Sequence, residues 1–174
     1  MEQEENDVLV KKAVNGDKEA FTVLYAQIYI EMFKFACFMI GNSYEAEDAV
    51  SDAVMDMYLG IHKLREPDKF KSWSFAILAN KCRKKIRIMK NKAISYDDGL
   101  LEVFEGEKTD RDENMDVKTA YMELSGEERL IISYYVFAGY NSEEIGKRLH
   151  MNRNTVRTKI SRAMTKMRMK MEVI

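Results

Sequence analysis

Residues 141–171 read NSEEIGKRLH MNRNTVRTKI SRAMTKMRMK M and carry the clearest structural pattern in the chain. Asn141, followed three residues later by Glu144, is typical of a helix N-terminus, because both side chains can bond backbone N–H groups that lack a helical partner. Ile145 and Leu149 give this first helix one apolar stripe. A second helix opens at Asn152, with apolar residues three and four positions apart, at Val156, Ile160, Ala163, Met164, Met167 and Met171. Two helices joined by a tight turn predict a helix-turn-helix.

The polar side of the second helix has a neutral stripe between two cationic flanks. The stripe holds Asn154, Thr158, Ser161 and Thr165, and the flanks hold Arg157 and Arg168 on one side and Lys159, Lys166 and Lys170 on the other. Short neutral side chains can face base edges while long cations reach phosphates. A basic run alone is as often a solvated surface, but within a helix-turn-helix it predicts DNA binding. The candidate DNA contacts are Arg153, Asn154, Thr155, Arg157, Thr158, Lys159, Ser161 and Arg162.

Charge is divided into blocks along the chain of 174 residues, although the net charge is only −1. Acids dominate residues 1–60 and 93–116, and bases dominate residues 61–92 and 117–174. Such asymmetry favours separate surfaces for separate partners. With one proline and eight glycines, long segments are uninterrupted, so we expect an all-α fold.

Several classes of protein are excluded by what the sequence lacks. Cys37 and Cys82 fall within helical patterns rather than at metal-ligand or disulfide-framework spacing, so we interpret them as reduced packing residues. Neither a signal peptide nor an apolar run of membrane-spanning length is evident. No nucleophile with its base, phosphate-binding glycine loop or metal cluster is evident either. We therefore expect a cytoplasmic, non-enzymatic protein without a metal or cofactor.

In the N-terminal half, apolar spacing and cap residues predict three successive helices before residue 64. The first covers residues 8–14 and ends at Asn15-Gly16, and the second runs from Asp17 to Ile40. The apolar face of the second helix holds Phe21, Leu24, Tyr25, Ile28, Phe35 and Phe38. Asn42 with Glu45 caps the third, whose core face holds Ala46, Ala49, Val50, Ala53, Val54, Met57 and Ile61.

An acidic row occupies the other side of the third helix, at Glu45, Asp48, Asp52 and Asp56. Like charges four residues apart repel by a few tenths of a kcal/mol. A row retained at that cost suggests a basic partner, although a solvated acidic face would have the same sequence.

A basic helix is predicted from about Phe70 to Lys92, with a core stripe of Phe75, Leu78, Ala79, Cys82, Ile86 and Met89. Its other side gathers Trp73, Asn80, Lys84 and Arg87, and Lys81 lies beside them. Aromatic, amide and cationic side chains together are typical of surfaces that hold unstacked single-stranded bases. A lone Trp is more often a core residue, and Ile77 and Ile88 on the same side favour that alternative.

These patterns predict two small helical domains, residues 1–92 and 117–174, joined by a flexible acidic linker at residues 93–116. In the second domain, Ser125 and Glu128 form a capping box for a helix containing Leu130, Ile131, Tyr134, Tyr135 and Phe137, and Gly139 ends that helix.

Taken in order, the motifs resemble the extracytoplasmic-function sigma factors of bacterial RNA polymerase. The resemblance rests on residues 17–29, Ala46-Glu47-Asp48-Ala49-Val50-Ser51-Asp52, Phe70-Lys71-Ser72-Trp73 with Asn80, Leu124-Ser125-Gly126-Glu127-Glu128-Arg129, and residues 143–145 with 155–163. It implies core RNA polymerase and promoter DNA as partners, and allows for a cognate anti-sigma factor. The acidic helix would bind the polymerase through Glu45, Asp48, Asp52 and Asp56. The basic helix would recognise and open the downstream element through Trp73, Asn80, Lys81, Lys84 and Arg87, and the helix from Asn152 would read the upstream element.

Four residues depart from the family pattern. Ser51 stands where Gln is usual, Ser74 where Leu is frequent, Lys84 where Asp is common and His150 where the turn often has Gly. Of these, His150 is compatible with a tight turn because His enters the left-handed region more readily than most residues. Two other functions fit the same motifs, a helix-turn-helix regulator that acts without being a polymerase subunit and an interaction protein that only sequesters partners.

Overall fold

The computed structural model describes residues 2–95 and 119–171, and within these ranges no β-strand occurs. The predicted all-α class is therefore confirmed. The chain divides into two compact units, Met1–Glu102 and Val103–Ile174. Nearly all of the predicted linker lies outside the described residues, so its flexibility stays a prediction.

The N-terminal unit contains four helices: α1 at Glu2–Val14, α2 at Lys18–Ile40, α3 at Ser43–Gly60 and α4 at Phe70–Ser95. Two 3₁₀ turns, Ile61–Lys63 and Pro67–Lys69, connect α3 to α4. The central helix is α2, which packs against the other three. Helix α1 begins six residues before its predicted start, because the acidic residues ahead of Val8 continue the helix without adding to the apolar pattern.

Local signals account for where these helices begin and end. The Asp17 carboxylate accepts a hydrogen bond from Ala20 N at 3.0 Å, and the Asn42 side chain accepts one from Glu45 N at 3.0 Å. Gly16 has a φ of 95°, in the left-handed region that glycine occupies without strain. The predicted cap at Asn42 and helix end at Gly16 are both confirmed.

The core of this unit is built where α2, α3 and α4 meet. Phe35 and Phe75 are fully buried and pack edge to face, with ring centroids 5.4 Å apart. Cys82 of α4 is also fully buried, and burial raises the pKa of its thiol to about 12. At the margins of the predicted core faces, five residues are only half-buried: Tyr25, Phe38, Val54, Ile86 and Met89.

Contrary to the sequence expectation, α2 is long and apolar enough to cross a membrane by length and composition alone. It is the one such helix among the described residues. Its packing against three other helices accounts for an apolar face without a membrane, since a central bundle helix needs contact residues on more than one side.

The C-terminal unit contains a helical turn at residues 119–122 and three helices, α5 at Gly126–Val136, α6 at Ser142–Leu149 and α7 at Arg153–Met171. Tyr121 and Tyr134 are its largest fully buried side chains. The Tyr121 hydroxyl donates to Arg129 O at 2.6 Å, so this buried polar group has a partner.

Two of the apolar residues predicted for helices of this unit are exposed: Met164, predicted for the apolar face of the second helix, and Tyr135, predicted only to lie within a helix. Tyr135 is 45% exposed and Met164 is 42% exposed. Each lies one position beyond a buried residue, Tyr134 or Ala163, and a step of about 100° around the helix turns it outward. Buried Ile132 and Ser133 complete the inner face of α5.

Candidate nucleic-acid interfaces

Helices α6 and α7 form the predicted helix-turn-helix. The Asn141 side chain accepts hydrogen bonds from Glu143 N and Glu144 N at 2.9 and 3.0 Å, and Asn141 N donates to the Glu144 carboxylate at 2.9 Å. This confirms the predicted capping box. At the start of α7 the Asn152 side chain accepts from Asn154 N at 2.8 Å, so Asn152 is the residue before the helix rather than its first residue.

The turn between the two helices is held by His150 and Gly146. His150 has a φ of 55°, the left-handed conformation expected for it, and Met151 N donates to Gly146 O at 2.9 Å. A Cβ on Gly146 would lie 2.6 Å from the carbonyl oxygen of Met151. Only glycine therefore allows the turn to fold back this closely. Sequence reasoning missed Gly146, although a glycine within a short helix is a usable signal because it costs about 1 kcal/mol relative to alanine.

The outward side of α7 carries the predicted contact residues. Val156, Ile160 and Ala163 are buried on its inner side. Seven of the eight candidates are exposed, and Lys159 is half-buried: Arg153, Asn154, Thr155, Arg157, Thr158, Lys159, Ser161 and Arg162. The Thr158 hydroxyl donates to Asn154 O at 2.9 Å, so it presents a methyl group and an acceptor to any ligand.

The two cationic flanks of α7 differ in their partners. Acids of the same unit pair with the lysine flank: Lys159 lies 2.7 Å from Glu127, Lys166 lies 2.7 Å from Glu128 and Lys170 lies 2.6 Å from Glu123. Hydrogen bonds from Lys166 and from the backbone of Ser125 lower the pKa of Glu128 to about 2. In contrast, the arginines form no ion pair within 4 Å in the described residues, at Arg153, Arg157, Arg162 and Arg168.

The arginines therefore retain their charge for an external anion, whereas the lysines are partly neutralised. Of the eight candidates, Lys159 is the one that forms an ion pair with a carboxylate of residues 119–171. A phosphate contact by Lys159 would have to replace or share Glu127.

In the N-terminal unit, lysines of α4 reach the acidic row of α3. Lys85 Nζ lies 2.8 Å from Glu45 and 3.1 Å from Asp48, and Lys81 Nζ lies 2.7 Å from Asp56. The hydrogen bond to Glu45 is the main cause that raises the pKa of Lys85. Asp52 is exposed and forms no ion pair within the described part of the chain.

The acidic row of α3 is partly neutralised by lysines of its own unit. Repulsion between its acids suggested an external basic partner, but α4 itself supplies the base for three of the four. Lys81, predicted to contact DNA, is engaged with Asp56 in the same way. Asp52 is the member of the row with its full charge available.

The structure places some, but not all, of the predicted base-binding residues of α4 on one exposed face. Asn80, Lys84 and Arg87 are exposed on one face of the helix. The Asn80 side chain accepts a hydrogen bond from Arg83 at 3.0 Å, which leaves its amide N–H groups available.

Trp73 is half-buried at the junction of α3 and α4. Its ring lies beside Phe70, with centroids 6.2 Å apart, and lines an open cavity with Leu59, Gly60 and Ile77. One side of the Trp73 ring is thus packed against the protein, in agreement with the alternative that Trp73 is a core residue. The side that faces the cavity stays accessible.

Among the described residues, no group of three or more His, Cys, Asp or Glu side chains could hold a metal ion.

Two family models match the chain. Sigma-70 region 2 matches residues 24–94 and Sigma-70 region 4 matches residues 122–169. These matches cover most of α2, all of α3 and most of α4 in the first unit, and α5 to nearly the end of α7 in the second.

Curated relatives match over most of the chain. The RNA polymerase sigma factor SigV of Bacillus subtilis is 28% identical over 147 residues, which are 81% of this chain and 84% of SigV. The ECF RNA polymerase sigma factor SigM of Mycobacterium tuberculosis is 25% identical over 159 residues, covering 91% and 80% of the two chains.

Two solved structures share the fold. The sigma factor RpoE of Bartonella quintana, in complex with the anti-sigma factor NepR, has a TM-score of 0.76 and 21% identity over 88% of this chain and 97% of that one. CnrH, in complex with the cytosolic domain of CnrY, has a TM-score of 0.69 and 20% identity over 97% of both chains.

Proposed function

The chain belongs to the sigma-70 family, in its extracytoplasmic-function class, and we propose that it binds core RNA polymerase and directs transcription initiation at specific promoters. The observation that carries this proposal is the presence of both family regions, in order, on two separate helical units. A regulator that only bound DNA would need the helix-turn-helix, but it would not need region 2.

We assign promoter recognition to two surfaces. The outward side of α7 reads the upstream element. Arg153, Arg157 and Arg162, which have no ion pair in the described ranges, lie at phosphates or guanines, and Asn154, Thr155, Thr158 and Ser161 face base edges. Lys159 acts from the edge of this surface, since Glu127 already holds it.

On α4, Asn80, Lys84 and Arg87 bind the downstream element as it opens. Among the described residues, Lys84 and Arg87 have no ion pair and the Asn80 amide donors no acceptor, a combination that suits exposed bases and their phosphates. The accessible side of Trp73 offers a stacking surface, and Lys81 contributes only when it leaves Asp56. Residues 1–92 are thus the domain for polymerase binding and the downstream element, 93–116 the linker, and 117–174 the domain for the upstream element.

Polymerase binding belongs to α3, and Asp52 is its principal charge. Glu45, Asp48 and Asp56 surround it but share their charge with Lys81 and Lys85. A basic polymerase surface would therefore meet one carboxylate that is unpaired among the described residues, within a row of partly neutralised ones.

The remaining parts of the proposal follow from the family. The chain acts in the cytoplasm, where polymerase and promoter are found, as a non-catalytic initiation factor. The RpoE structure contains an anti-sigma factor, and we propose that a protein of that class also binds this chain.

Charge reversal at Asp52 tests the polymerase contact. Asp52→Lys replaces attraction by repulsion, which at an interface can cost several kcal/mol. Because the side chain is exposed, circular dichroism and melting should be unchanged, while co-purification with core polymerase and promoter-dependent transcription are lost.

Glu47→Lys is the matched control, because Glu47 is exposed on the same helix and undergoes the same charge change. It lies about 140° around α3 from Asp52. Normal polymerase binding by folded Asp52→Lys, or equal loss in both variants, would contradict the assignment.

A further inference from the structure

Arg148, in the last turn of α6, lies outside every surface described so far. Its guanidinium carbon sits 5.0 Å from the ring centroid of Tyr140 and 5.8 Å from that of Tyr134. The two rings are themselves packed edge to face, with centroids 5.2 Å apart, and both are buried. The Arg148 guanidinium thus lies over two aromatic rings whose positions are fixed by packing.

Within residues 2–95 and 119–171, the Arg148 guanidinium has these two ring contacts and no hydrogen bond. A cation–π contact uses the charge of a guanidinium and none of its five N–H donors, which lie in the guanidinium plane. The side chain is exposed, and no carboxylate lies within 4 Å of it in the two described ranges. The adjacent Lys147 differs, because Glu143 holds its ammonium at 2.8 Å.

The position of Arg148 is suited to a backbone contact. Arg153, at the start of α7, is five positions further along the chain, so the two Cα atoms are at most about 18 Å apart. In a helix-turn-helix the second helix lies in the major groove while the first crosses the sugar–phosphate backbone. With a groove about 12 Å wide, the phosphates at its edge are within reach of the end of α6.

We infer that Arg148 is a further DNA-contacting residue, a preoriented fork for one phosphate of the upstream element. A planar fork held in place by two rings loses little freedom on binding, and it matches a phosphate with two parallel hydrogen bonds. The contact is independent of base sequence, so it contributes affinity and register rather than specificity. The inference rests on the proposed function, since it requires that α7 enters promoter DNA.

The test measures promoter binding by polymerase reconstituted with the full chain, over a range of salt concentrations. For Arg148→Ala we expect weaker binding and a slope of log affinity against log salt that is shallower by about one, the change for one lost phosphate contact. Loss of affinity should be equal on matched and scrambled upstream elements. Arg148→Lys should restore the slope, because it keeps the charge, but only part of the affinity.

Lys147→Ala distinguishes a direct phosphate contact from long-range electrostatic attraction, because it removes the same charge from the neighbouring residue. Its slope should equal that of the wild type. An unchanged slope for Arg148→Ala, or an equal decrease in both alanine variants, would overturn the inference. A merely structural role would lower the melting temperature without changing the slope. Absence of binding by the wild-type complex would instead contradict the proposed function.

Discussion

At the scale of single residues, a small number of backbone positions determines the helix-turn-helix. Gly146 allows the carbonyl of Met151 to approach, and His150 adopts the left-handed conformation that reverses the chain. Neither residue is among the proposed DNA contacts. Both fix where α7 begins, and through it the direction of every side chain that the helix presents.

Gly146→Ala should destabilise the C-terminal unit by about 1–3 kcal/mol, because its methyl group would lie 2.6 Å from a backbone oxygen that cannot move independently. Gly126→Ala is the control, since no heavy atom lies within 4 Å of a Cβ there. Denaturant unfolding of both variants measures the difference. Equal stability of the two proteins would show that the turn is looser than described.

Glu128 makes stability depend on pH. Its pKa falls from the usual 4.5 to about 2 in the folded protein, first through Lys166 and then through the backbone of Ser125. A lowered pKa means that the folded state favours the charged form, so the contribution is complete above pH 4.5 and is lost as the pH falls towards 2. Between pH 4.5 and 2, the free energy of unfolding should fall less for Glu128→Gln than for the wild type. Identical curves would contradict the described pairing.

At the scale of helices, the sequence predicts what depends on neighbours in the chain. The caps at Asn42, Ser125 and Asn141 were predictable because cap and partner are three residues apart. The pairing of Lys85 with Glu45 joins residues 40 positions apart, and no helical period reports it. For the same reason the sequence could not distinguish the paired lysines of α7 from its unpaired arginines.

That difference between the flanks of α7 can be tested directly. Arg157→Ala should weaken promoter binding, either by about 1–3 kcal/mol at one base pair or uniformly with a salt slope lower by about one. Lys170→Ala removes an equal charge from the paired flank and should have a much smaller effect, because Glu123 already holds that ammonium. Quantitative footprinting of polymerase with each variant gives the comparison. A larger loss of promoter binding for Lys170→Ala than for Arg157→Ala would show that the DNA lies against the lysine flank, contrary to the proposal.

At the scale of the whole molecule, two units carry separate parts of one function. Alternating blocks of charge predicted separate surfaces. In each unit, however, some of the acidic side chains form ion pairs with lysines of the same unit. The surfaces left for partners are therefore smaller than the sequence indicated: Asp52 on α3, one face of α4, and the arginine side of α7. Exposure of Tyr135 and Met164 could not be predicted, because apolar residues at the edge of a stripe have the same spacing as those within it.

The central claim is that this chain gives core RNA polymerase its promoter choice. Sequencing the 5′ ends of transcripts made from genomic DNA by core polymerase, with and without the protein, tests that claim most directly. We predict a discrete set of new start sites that share an upstream and a downstream element and disappear with Asp52→Lys. The same start sites with and without the protein, despite its binding to DNA, would contradict the account and identify a regulator that is not a polymerase subunit.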